Sequence, residues 1–104
     1  MNKFNIILTN DAKLDLDDIV GWLDEQGEGL TEKFRVDLDY CVDKIRQNPK
    51  TYGLVTKRTR IATLRNFPHC VYFRAVSDHE VRIVAIVHGS RHPNTWRRRS
   101  NPKE

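Results

Sequence analysis

Apolar positions change their period along this chain, and each change marks an element. Phe4, Ile6 and Leu8 alternate over residues 2–8, the period-two pattern of a half-buried strand. Thr9-Asn10-Asp11 then offers side-chain oxygens to cap a helix, with Asp11 near the positive end of its dipole. Ala12, Leu16, Ile19, Val20 and Leu23 follow at helical spacing, which predicts a helix of about four turns, broken at Gly27-Glu28-Gly29. A second helix opens near Leu30-Thr31. Its stripe is Leu30, Phe34, Leu38, Cys41, Val42 and Ile45, with Asp37, Asp39, Asp43 and Lys44 mostly outside it. Asn48-Pro49 closes it, because proline disfavours helix at the residue before it. The two segments predict an antiparallel helical hairpin with an acidic outer face.

Residues 50–59 read as a polar connector rich in Lys and Thr. Three strands are expected beyond it, at 60–65, 70–76 and 81–87. The last two are joined by Ser77-Asp78-His79-Glu80, where Asp78 suits a turn. Residues 81–87 are apolar on both alternating faces, as expected of a strand in the interior of a sheet. The order β-α-α-β-β-β predicts an α+β fold with the helical hairpin packed on one side of a mostly antiparallel sheet. A chain of 104 residues has room for one such domain, placed at 1–96, followed by a basic, loosely structured tail at 97–104.

Composition narrows the class. A mean hydropathy of −0.64 leaves a heavily charged surface, and no apolar run approaches the ~20 residues of a membrane span. The N-terminal segment lacks the long apolar region and cleavage site of a signal peptide. Cys41 and Cys70 sit inside periodic apolar segments, which predicts buried thiols in a reducing cytoplasm and neither a disulfide framework nor a metal site.

The net charge of +4 conceals a sorting by sign. Residues 10–48 hold eleven acids and five bases, whereas residues 49–104 hold twelve bases and three acids. An acidic face and a basic face follow, the basic one suited to polyanions or an acidic protein partner.

No phosphate-binding loop, dinucleotide-binding loop, zinc-ligand spacing or nucleophile elbow is present. Neither a metal nor a cofactor is expected. Asp11, Asp15 and Asp18 recur on one side of the first helix, but with no histidine nearby and an orientation away from the apolar stripe they read as a solvated face. The basic residues hold more chemistry. Arg60 and Arg65 bracket one predicted strand, Arg74 and Arg82 lie on the hairpin, and His88, Arg91 and His92 crowd the end of the last strand. Guanidinium groups converging on one sheet face would recognise phosphate or carboxylate, and histidine adds acid–base capacity near neutral pH. The structural alternatives are an Arg74 or Arg82 pair with Asp78 or Glu80, and a His88 hydrogen-bonded to backbone. Trp96 is either a cap on the core edge or a partner-facing aromatic. Trp22 is either core or an interface anchor. Arg97-Arg98-Arg99 is a solvated tail or a non-specific phosphate grip.

These segments resemble the RelE/ParE superfamily of toxins over nearly the whole chain. The matching residues are Ala12-x-x-Asp15-Leu16-x-x-Ile19-x-x-Trp22-Leu23, Asn48-Pro49 and Arg60-x-x-x-Leu64-x-x-Phe67-Pro68. Val71-Tyr72-Phe73-Arg74-Ala75-Val76 and the specific Val84-x-x-Val87-His88-x-x-Arg91-x-Pro93-x-x-Trp96 complete the set. The resemblance implies a type II toxin neutralised by a cognate antitoxin. In its RelE-like branch the activity is metal-independent cleavage of messenger RNA on the ribosome; in its ParE-like branch it is poisoning of DNA gyrase. Cys70 stands where the nucleases commonly carry an arginine, and Trp96 where they carry a tyrosine, which favours the ParE-like, non-enzymatic reading. On that reading Arg60, Arg65, Arg82, Arg91, Trp96, Arg97 and Arg98 are expected to meet the target or phosphates, and Trp22 and Arg74 the antitoxin. His88, Arg91 and His92 would be catalytic only in a nuclease.

Overall fold

A computed structural model of the chain describes residues 3–90. Arg91, His92, Trp96, Arg97 and Arg98, and with them the expected tail at 97–104, lie outside the described residues.

The elements run β1 (Asn5–Leu8), α1 (Asn10–Gln26), α2 (Leu30–Gln47), β2 (Arg60–Thr63), β3 (His69–Ala75) and β4 (Glu80–His88), with a 3-10 turn at Pro49–Thr51. Thr9 caps α1 as its sequence suggested, its Oγ1 accepting from the Ala12 N–H at 3.2 Å. Gly27 ends that helix by donating its N–H to the Leu23 carbonyl. Gly29 begins the next with φ of +83°, in the left-handed region where a side chain would be strained. The hairpin is held shut by the Thr31 hydroxyl donating to the Asp24 carboxylate.

The strands form one sheet in the order β1-β4-β3-β2. β3 pairs antiparallel with both β2 and β4, and β1 lies parallel to β4, because two helices carry the chain across before β4 is made. β4 therefore lies inside the sheet, as its two apolar faces predicted. Ala12, Leu23, Phe34, Leu38, Cys41 and Ile45 from the helices close on Ala62, Val71, Phe73, Val81, Ile83 and Ile86 from the sheet. Cys70, Tyr72, Val84 and Ala85 form a second apolar layer on the opposite face. A bulge changes which residues of β4 face the helices. Phe73 opposes Ile83 and Tyr72 opposes Ala85, so β4 carries one more residue, Val84, between these pairs. The alternation shifts there, and Ile86 rather than Ala85 or Val87 joins the helix-side core.

Two carboxylates depart from the solvated positions expected of them. Asp15 Oδ2 accepts from the Ile86 N–H at 3.0 Å, beyond the point where β1 stops pairing with β4. Asp37 is only 2% exposed and accepts from the main-chain N–H of Asn66 at 2.9 Å and from its side-chain Nδ2 at 3.2 Å. That anchor pulls the β2–β3 connection over α2. In consequence β2 ends at Thr63 instead of residue 65, while Leu64 turns into the core and bonds the His69 carbonyl through its N–H. The connector at 50–59 is tied to β2: Leu54 bridges Arg60, and the Ile61 N–H reaches the Gly53 carbonyl.

Candidate functional site

Strand register sorts the candidate residues to two ends of the sheet. At one end Arg74 and Arg82 are directly opposite across β3 and β4, and Arg60 pairs with Phe73 beside them on β2. These three arginines line a concave cleft of about 620 Å³ with Lys50, Lys57 and Arg58 from the connector and Glu80 from β4. Leu54, Ala75, Val76 and Ser77 complete its wall. Like charges facing each other across strands repel. Glu80 offsets part of this, taking the Arg82 Nη2 at 2.9 Å and Nε at 3.3 Å on one carboxylate oxygen. The pairing alternative is thus correct for Arg82. The Lys50–Asp78 pair is 4.0 Å long and well exposed, so it contributes little.

The arginines of the cleft are held in place. Arg74 is 4% exposed, and its Nε donates to the hydroxyl of fully buried Thr59 at 3.1 Å. Arg60 donates through Nη1 to the Tyr52 carbonyl at 2.6 Å. Guanidinium groups keep their charge at any physiological pH, so the three arginines present fixed positive charge to the cleft.

The histidines occupy the other end. His88 is paired with His69 across β3 and β4, six residues along β4 from Arg82, or about 20 Å at roughly 3.3 Å per residue. The His88 Nδ1 accepts from the Ser90 N–H at 3.1 Å and meets the Ser90 hydroxyl at 2.8 Å. Since a main-chain N–H only donates, Nδ1 is the acceptor in this turn. This local turn is the backbone-bonded role foreseen as the structural alternative for His88. His69 is 5% exposed and packed edge-on against Phe34 at 5.0 Å and His88 at 5.3 Å between ring centroids. Burial, and then the neighbouring His88, lower its pKa.

Arg60 and Arg65 do not feed one face. The Arg65 guanidinium lies over the ring of Tyr40 on α2, 3.7 Å from its centroid, because the Asp37–Asn66 anchor folds that loop onto the helix. Trp22 is 55% exposed on α1, which removes it from the core. Sequence reasoning missed Lys50, Lys57 and Arg58 as partners of the cleft, although three bases in a ten-residue polar connector were the available signal. It also passed over His69. Among the described residues no three His, Cys, Asp or Glu side chains gather as a metal-ligand set.

Residues 6–93 match the family model described as ParE toxin of type II toxin-antitoxin system, parDE. The chain belongs to the ParE toxin family. A solved structure titled as the chromosomal ParDE TA system from P. aeruginosa has the same fold, with a TM-score of 0.68 and 23% identity. The alignment covers 83% of this chain and 96% of that one. No curated protein sequence matches the chain. Within the ParE framework, the helical hairpin and four-stranded sheet described above are the family's scaffold, and the basic cleft and histidine pair are two separate constellations mounted on its ends. Among the described residues no helix is long and apolar enough to cross a membrane.

Proposed function

We propose that this chain is a toxin that inhibits DNA gyrase by binding it in the cytoplasm, and that a cognate antitoxin holds it inactive. One observation carries the choice of binding over cleavage. Cys70, at the position where RelE-like nucleases carry an arginine, is a thiol only 8% exposed whose pKa is pushed up by burial. A neutral thiol there cannot stabilise the charge that develops on a phosphate being cleaved. Arg60, Arg74 and Arg82 lie at the opposite end of the sheet from His88, too far to act with it on one phosphodiester. On this reading Trp22, exposed on α1, is an anchor for the antitoxin. Arg65, with Arg91, Trp96, Arg97 and Arg98 beyond the described residues, serves the target.

Purified toxin, alone and with its antitoxin, should be assayed for gyrase supercoiling and, in parallel, for cleavage of ribosome-bound mRNA. Loss of supercoiling that the antitoxin reverses is the expected result. Ribosome-dependent cleavage abolished by Arg91→Ala would overturn the gyrase reading and make His88, Arg91 and His92 a nuclease site.

A further inference from the structure

We propose that the cleft between Lys50, Lys57, Arg58, Arg60, Arg74 and Arg82 is the seat of an acidic, partly apolar peptide segment of the antitoxin. The inference rests on the reading of this chain as an antitoxin-held toxin, and adds where on the toxin the antitoxin's carboxylates are received.

Three features of the cleft point to this occupant. Among the described residues six cations and one carboxylate line one concavity, so the charge is focused rather than spread over a convex solvated face. The guanidinium groups are also preorganised: Arg74 on Thr59, Arg60 on the Tyr52 carbonyl, Arg82 on Glu80. Held in this way, Arg60 and Arg82 have little side-chain entropy left to lose when their other N–H donors meet a carboxylate. The rim, finally, is apolar. Leu54 is 54% exposed and Val76 37% exposed, and both line the same cleft.

The rim decides between anions. A phosphate group or a nucleic-acid backbone makes no use of Leu54 and Val76, and among the described residues no aromatic side chain lines the cleft to stack a base. A peptide that places Asp or Glu beside Leu, Val or Ile satisfies both the cations and the rim. Its volume of about 620 Å³ lies within the ~300–1,000 Å³ usual for ligand pockets, enough for a few side chains but not for a helix.

The test uses the full-length toxin and its full-length antitoxin. Lys57 and Arg58 are exposed on the connector, so the double variant Lys57→Glu/Arg58→Glu is expected to fold with an unchanged melting temperature. It should bind the antitoxin about 30-fold more weakly at low salt, with a shallower salt dependence than wild type. Leu54→Ser should weaken binding about fivefold without changing the salt dependence. Carbodiimide coupling of the wild-type complex should join Lys50 or Lys57 to antitoxin Asp or Glu residues, read by mass spectrometry. Wild-type affinity in the double variant, together with no such cross-link, overturns the cleft assignment while leaving the toxin–antitoxin pair intact. Failure of the wild-type protein to bind an antitoxin at all overturns both readings. Duplex DNA that competes with the antitoxin for the cleft, or toxin self-association lost in the double variant, would assign the cleft to a different occupant.

Discussion

The carboxylate of Asp15 on α1 accepts a hydrogen bond from the main-chain N–H of Ile86 on β4 at 3.0 Å, across 71 residues of sequence. β1 pairs with β4 only as far as Ile83, so beyond that point the amide of Ile86 finds its acceptor on a helix instead of a strand. Asp15→Ala should therefore destabilise the fold by about 1–3 kcal/mol, the cost of leaving a buried donor unsatisfied. Asp15→Asn retains an acceptor and should lose less. Urea unfolding checks the order, and amide exchange should show Ile86 losing protection in the alanine variant alone. Equal stability of alanine and wild type would mean that solvent satisfies this amide.

Ile83 is fully buried on the strand that lies between β1 and β3. Ile83→Ala should cost about 2–5 kcal/mol, because a large side chain is removed where neighbours on two strands and a helix cannot collapse together. A loss below about 1 kcal/mol in equilibrium unfolding would show that the site repacks.

Gly89 approaches the chain too closely for any other residue. Its N–H donates to the Pro68 carbonyl at 2.6 Å, and a Cβ added there would stand 2.9 Å from the same oxygen. Since that oxygen belongs to backbone, it cannot swing aside as a flexible side chain would. Gly89→Ala should cost about 1–3 kcal/mol. It should also displace the His88–Ser90 turn, visible as a shift of the His88 ring resonances.

His69 makes stability depend on pH with a definite sign. Burial lowers its pKa in the folded chain below the ordinary value of 6.5, with His88 adding to the effect. The unfolded chain then takes up a proton first as pH falls through 6.5, so its contribution is full above that value and is lost progressively below it. Chemical denaturation between pH 7.5 and 5 should show this decline, and His69→Phe should flatten it. An unchanged slope in the variant would assign the decline to other groups.

Burial raises the Cys41 thiol to about 11, with Asp37 and then Cys70 adding to the effect, and burial also raises Cys70. At pH 8 roughly one Cys41 in a thousand is then a thiolate, the only form that attacks an alkylating reagent. Iodoacetamide should label neither cysteine appreciably in the native protein and both after unfolding. Rapid native labelling of Cys41 would mean that α2 opens from the sheet.

The elements, their order and the interior place of β4 were legible in the sequence because each rests on local information: hydrophobic period, a capping threonine, a glycine break, a proline stop. The α2 stripe of Phe34, Leu38, Cys41 and Ile45 is buried as its spacing required. The departures have a common cause, which is contact between residues far apart in sequence. Nothing adjacent to Asp15 or Asp37 announces that their acceptor oxygens answer Ile86 and Asn66, since an acidic residue beside an apolar stripe looks solvated until the partner amide is in place. The bulge at Val84 was equally hidden, as residues 83–87 are apolar at every position and carry no phase from which a shift could be read. The site divides in the same way. The sequence by itself determined that the second half of the chain is basic and that His88 ends a strand. Only the tertiary structure decided that Arg60, Arg74 and Arg82 converge with the connector's Lys50, Lys57 and Arg58 at one end of the sheet, that Arg65 folds away onto Tyr40, and that the histidines pair at the other end. Strand register settles which side chains meet, and register depends on pairings between distant segments that no local pattern specifies.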